Sequence, residues 1–150
     1  VGVNYGDELF GKFANDINEE TYLQIILKGH LYIENRLIEL IKVKLVNPNA
    51  IKLNDLNFPT KINLANALGL IDNKKSKLLR NLNSFRNKLA HDLNFELSDK
   101  EIKKQINYFD KYYSNSFQKT IEENAGDLKQ LLRNIYVLTY LELDINIPLK

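Results

Sequence analysis

Residues 20–46 read ETYLQIILKGHLYIENRLIELIKVKLV, and this stretch decides the fold. Leu23, Ile26, Leu27, Ile33, Leu37, Ile38, Ile41 and Leu45 recur at the three- and four-residue spacing of one helix face. Strict two-residue alternation over a strand length is absent from it. Pro48, between Asn47 and Asn49, stops the run. The stretch predicts one long amphipathic helix that needs other helices to cover its stripe.

Working outward, the same period recurs. Asp7 to Asn18 places Leu9, Phe10, Phe13 and Ile17 on one side. Ala50 to Phe58 reads as irregular. Pro59-Thr60 opens a third helix carrying Ile62, Leu64, Ala65 and Leu68, with Gly69 as its stop. Asp72 caps a fourth helix through Leu78, Leu79, Leu82, Phe85 and Leu89. Ser98 and Glu101 form a capping-box pattern, opening a fifth helix through Ile102, Ile106, Phe109 and Tyr113. The last helix carries Leu128, Leu131, Leu132, Ile135, Leu138 and Leu141, with Gly126-Asp127 either starting or interrupting it. The expected fold is all-α, a single-domain bundle of about five to six helices over residues 1–150.

The chain has 150 residues, enough for a core without staples. It has no cysteine, which excludes disulfides, thiol catalysis and thiolate metal sites. A net charge of +2 does not demand a polyanion partner, so any such site must come from local clustering. The densest basic stretch is Lys74, Lys75, Lys77, Arg80, Arg86 and Lys88, with no acid among them. It reads either as a solvated helix face or as an RNA-binding surface. No apolar run is long enough for a membrane span and no signal pattern opens the chain, so a cytoplasmic location is expected. Val1 stands where an initiator methionine would, which suggests a processed or excised product.

Several motifs fail on inspection. Gly6 to Lys12 matches most of a phosphate-binding loop, but Phe13 stands where a magnesium-holding Ser or Thr belongs. No metal-ligand spacing, cofactor fingerprint or nucleophile elbow is found. A helix-turn-helix reader fits helices three and four only loosely, because helix four carries too many apolar residues to lie in a groove.

One segment concentrates chemistry. Residues 80–92, RNLNSFRNKLAHD, hold one of two histidines and two of four arginines. Asn87 and His91 share a helix face. Arg86 and His91 are about 140° apart on an ideal helix and converge only if the helix loosens near His91. Imidazole titrates near neutrality and can move a proton. Guanidinium grips phosphate and stabilises charge on its oxygens. RNA carries its own 2′-hydroxyl nucleophile, so this set suits metal-independent RNA cleavage. The competing reading is an ordinary helix-end histidine held by the C-terminal dipole.

Arg86-Asn87-Lys88-Leu89-Ala90-His91 resembles the signature of the HEPN superfamily, all-α proteins of which many are metal-independent ribonucleases and others non-catalytic. Residues 58–71 (FPTKINLANALGLI) and 29–37 (GHLYIENRL) resemble the mannitol operon repressor branch. The resemblance spans residues 20–93, about half the chain. It implies a homodimer with both motifs facing one cleft, Arg86 and His91 as the catalytic pair and Asn87 as the supporting polar residue. The implied activity is a toxin or phage-defence endoribonuclease acting through 2′-oxygen attack. RNA is then the substrate, and an antitoxin or regulatory protein a partner. The alternatives are a non-catalytic regulator or dimerisation module of the mannitol-repressor type, and a helical domain excised from a larger defence protein. Where a toxin branch carries a modified tyrosine two residues after the histidine, this chain has Leu93.

Two further features complete the candidates. His30 and Glu34 sit one turn apart beside the stripe of the second helix, either as a satisfied core pair or as residues supporting Arg86 and His91 across the helix interface. Tyr108, Tyr112 and Tyr113 near lysines read as base-stacking aromatics or as core and interface residues.

Overall fold

The structure is a computed structural model and describes residues 5–18, 21–92, 94–124 and 126–149. Leu93 lies outside the described residues. All regular structure within them is helical: α1 (Tyr5–Ile17), α2 (Tyr22–Lys44), α3 (Phe58–Ala67), α4 (Asn73–His91), α5 (Asp99–Lys104), α6 (Ser114–Glu123) and α7 (Lys129–Asp144). The all-α expectation holds, with seven α-helices in place of five to six.

The helix ends follow the local chemistry. Thr21 Oγ1 accepts from the Gln24 amide at 3.2 Å and caps α2. Asn57 caps α3 and Asp72 caps α4 in the same way, at 2.9 and 2.7 Å. Each satisfies an amide that the first turn leaves without an internal partner. Gly69 ends the α3 region at a φ of 71°, a left-handed conformation that a side chain would strain. Ser98 and Glu101 close a reciprocal capping box at α5.

Two stretches depart from the expectation. The fifth helix stops at Lys104 instead of running to Tyr113; the chain tightens into a 3-10 turn at Gln105–Tyr108 and another at Lys111–Tyr113. Asn107 and Asp110 are poor helix formers. The break also lets Phe109 and Phe117 both reach the core, with ring centroids 5.2 Å apart. Helix α6 then follows, which the apolar period did not predict, because Phe117 is its one buried residue. The expected irregular stretch before α3 contains two short 3-10 turns, the second burying Leu53. The ambiguous Gly126-Asp127 precedes α7, which begins at Lys129.

α2 is the central helix. It packs most extensively on α7 and also meets α1, α3 and α4. The α2–α7 approach is close at Gly29, where a Cβ would meet Cδ1 of Tyr136 at 2.5 Å. Tyr22 Oη, which accepts from the Leu128 amide at 3.2 Å, ties one end of the pair. At the other, buried Arg36 donates to Asp144 at 2.9 Å. Phe13 of α1 stacks on Tyr140 with centroids 4.8 Å apart.

The stripe of α2 is covered only in part. Ile26, Ile33, Leu37, Ile38 and Ile41 are buried, joined by Ile25 and Leu40. Leu23 and Leu27 were expected in the core, but they are exposed, and Leu31 with them. On α7, Leu141 also faces outward, while Tyr136, Thr139, Tyr140 and Leu143 are buried. No helix among the described residues is long and apolar enough to cross a membrane.

Candidate functional site

The residues 6–12 that mimic a phosphate loop fall inside α1, where the backbone is helical and forms no loop. Leu78, Leu79, Leu82 and Phe85 of α4 are buried, so that face of the helix belongs to the core.

Arg86, Asn87 and His91 occupy the C-terminal half of α4. Arg86 is exposed and donates to Asn87 Oδ1 at 3.1 Å. His91 is exposed in the last turn. The helix does not loosen before it: the Asp92 amide still donates to Lys88 O at 3.0 Å. Regular geometry therefore keeps Arg86 and His91 about 140° apart around α4, and local unwinding does not bring them together within one chain.

Across the interface, α2 presents buried His30 and half-buried Glu34. Glu34 Oε1 accepts from Lys61 Nζ at 2.7 Å, and Glu34 Oε2 stands 3.9 Å from His30 Nε2. His30 packs on Phe58 with ring centroids 4.5 Å apart. Burial pushes its pKa below the ordinary histidine value; Glu34 pulls it up, and the Arg86 and Lys61 cations push it down. His30 is thus neutral near pH 7, and Arg86 lies near enough for its charge to bear on it. His30 and Glu34 thus lie together on α2, with Lys61 reaching Glu34 from α3.

The expectation missed Lys61, which is only 2% exposed. Its signal was present: Phe58, Lys61, Ile62 and Ala65 follow the three-four spacing of a buried face. A lysine at a core position points to a buried carboxylate partner, because an unpaired buried ammonium is costly.

The basic stretch divides. Lys74, Lys77 and Arg80 line a groove of about 720 Å³ between α3, α4 and the Gln105–Tyr108 turn. Lys75 turns away to Glu142, with its ammonium 4.7 Å from the Phe109 ring centroid, and burial brings its pKa down to about 8. Lys88 pairs with Glu101 at 3.4 Å. Of the three tyrosines, Tyr108 lines the groove, Tyr112 is exposed, and Tyr113 packs edge-on against Phe109 at 6.5 Å between centroids.

No family model matches the chain, and no curated protein matches it in sequence. Among solved structures, it is similar to a chain in the X-ray structure of the MtlR–HPr complex from Escherichia coli, MtlR being the mannitol operon repressor. The TM-score is 0.60 at 18% sequence identity, and the match covers 93% of this chain and 98% of the other. The likeness therefore extends over nearly the whole of both chains, and what it shows is a shared all-helical fold.

Proposed function

We propose that this chain is a non-catalytic helical regulator that works by docking a partner protein on α2. The observation that carries this reading is the leucine row on that helix. Leu23, Leu27 and Leu31 are 46%, 39% and 64% exposed, at four-residue spacing on one side. Leaving a leucine in water forgoes about 1.5–3 kcal/mol of burial. Three on one row form a contiguous apolar strip of the kind that marks interaction sites. Beside Leu31 lies a shallow groove of about 200 Å³, also lined by Asn35, Ile38 and Asn54. The fold likeness to a chain solved in a complex with HPr supports a protein occupant, with HPr of the same organism as the first candidate. Sedimentation of the chain with and without HPr tests this. A shared, faster boundary is expected. Separate boundaries at about 100 μM of each, a concentration that detects even weak docking, would contradict it.

A metal-independent HEPN-type endoribonuclease is the second reading. It is favoured by the exposure of Arg86 and His91 on α4. Because α4 holds the two side chains apart, this reading requires a homodimer to bring one protomer's His91 to its partner's Arg86. RNA incubated with the chain and EDTA, beside a His91→Ala variant, tests it: cleavage by the parent alone supports it, and equal or no cleavage removes it.

A further inference from the structure

The groove between α3, α4 and the Gln105–Tyr108 turn plays no part in partner docking on α2. Its charge is one-sided: Lys74, Lys77 and Arg80 line it, and no carboxylate among the described residues does. The cations differ in what already holds them. Lys74 donates to the Phe109 carbonyl at 3.2 Å, and Arg80 is steadied by Asn63 Oδ1, which leaves further donors on each. Lys77 is exposed and has no ion pair among the described residues. Ser76 lies between them in sequence and lines the same groove. It is 8% exposed, and its Oγ is buried without a hydrogen-bond partner among the described residues. The Oγ has no surface to offer a ligand, so Ser76 contributes to the floor of the groove and not to its donors. Asn107 and Tyr108 add an amide and a phenol ring on the opposite wall.

We infer that this groove binds a small phosphate monoester with a hydroxyl-bearing body. Lys77 and Arg80 take the phosphate oxygens, since guanidinium and ammonium are the side chains suited to phosphate. The amides of the wall hydrogen-bond the body, and the ring of Tyr108 gives it a flat surface. The volume matches a ligand of that size, within the usual range for small-molecule sites. A nucleic-acid backbone fits less well. The basic track that would follow it along α4 is interrupted where Lys75 turns to Glu142 and Lys88 to Glu101, leaving Lys74, Lys77 and Arg80 around one groove and Arg86 outside it.

The test is calorimetric titration of the full chain with glucose 6-phosphate, adenosine 5′-monophosphate and inorganic phosphate, with glucose and adenosine as unphosphorylated controls. Saturable binding of at least one ester is expected, with affinity reduced about tenfold or more in Lys77→Gln/Arg80→Gln. The exposed pair Lys100→Gln/Lys103→Gln makes the same charge change elsewhere and is expected to bind as the parent does. Which ester wins identifies the body; inorganic phosphate binding as tightly as both esters would overturn a site shaped for one. Amide resonance shifts at residues 74–80 and 107–108 on adding ester to the parent chain check the location without any variant. No ester binding at about 10 mM, equal loss in both double variants, or affinity that appears only with RNA oligonucleotides and rises with their length would each overturn the proposal.

Discussion

Gly29 carries a consequence out of proportion to its size. The Tyr136 ring lies where a Cβ would stand, so α2 and α7 approach closely only because the position is bare. Gly29→Ala gains about 1 kcal/mol of helix propensity but drives a methyl into a fully buried ring, and overpacking costs about 1–3 kcal/mol. A net destabilisation is expected, read as a lower midpoint in urea unfolding; an unchanged midpoint would mean the ring moves freely. His30 makes a prediction in pH. Burial lowers its folded pKa, so the unfolded chain binds the proton more readily. Stability therefore falls as pH drops below about 6.5, the unfolded value, and goes on falling to the lowered folded value. His30→Gln is expected to flatten that part of the stability profile; a parallel profile in the variant would contradict it. The hydroxyl of Tyr136 is buried with no hydrogen-bond partner among the described residues. Tyr136→Phe is expected to leave thermal stability unchanged or raise it, because it removes an unpaired polar group without opening a cavity.

At the scale of elements, the sequence was legible wherever capping chemistry and an apolar period coincide. Asp72 and Ser98, expected as caps, each accept from an amide in the first turn of their helix; Thr21 and Asn57, which the expectation did not single out, do the same. Asp72→Ala is expected to cost about 0.5–2 kcal/mol, the usual worth of a helix cap, in equilibrium unfolding. Legibility failed where period alone had to carry the prediction. Ile102, Ile106, Phe109 and Tyr113 keep helical spacing, yet the backbone breaks between them because Asn107 and Asp110 favour turns and two phenylalanines must reach the core. Helix α6, with one buried residue, has too little stripe to be seen. The period likewise says which residues of α2 are apolar and not which are covered. Leu23 and Leu27 read as core by their spacing, and their exposure depends on where α3, α4 and α7 happen to lie.

For the whole molecule, α2 organises both the core and the surface that matters. Its buried face meets α7 and α1; its polar flank sets His30 and Glu34 beside Lys61; its outward row of leucines stays exposed among the described residues. Of the candidate residues, His30 and Glu34 stand 3.9 Å apart, as their one-turn spacing on α2 dictates. Lys61 joins them from α3, at a core position that its three-four spacing with Phe58 and Ala65 marks. The divergence of Arg86 and His91 follows from a helix that stays regular through its last turn, which poor helix formers after His91 did not disclose. We propose the leucine row of α2 as the docking surface. Calorimetric titration of HPr into the parent chain and into Leu27→Asp/Leu31→Asp tests it most directly. Both leucines are exposed, so the variant is expected to keep its fold by circular dichroism and to lose about tenfold or more in affinity, the effect of removing interface anchors of 1.4 kcal/mol or more in total. Equal affinity in parent and variant, or no heat of binding from either, would contradict the account.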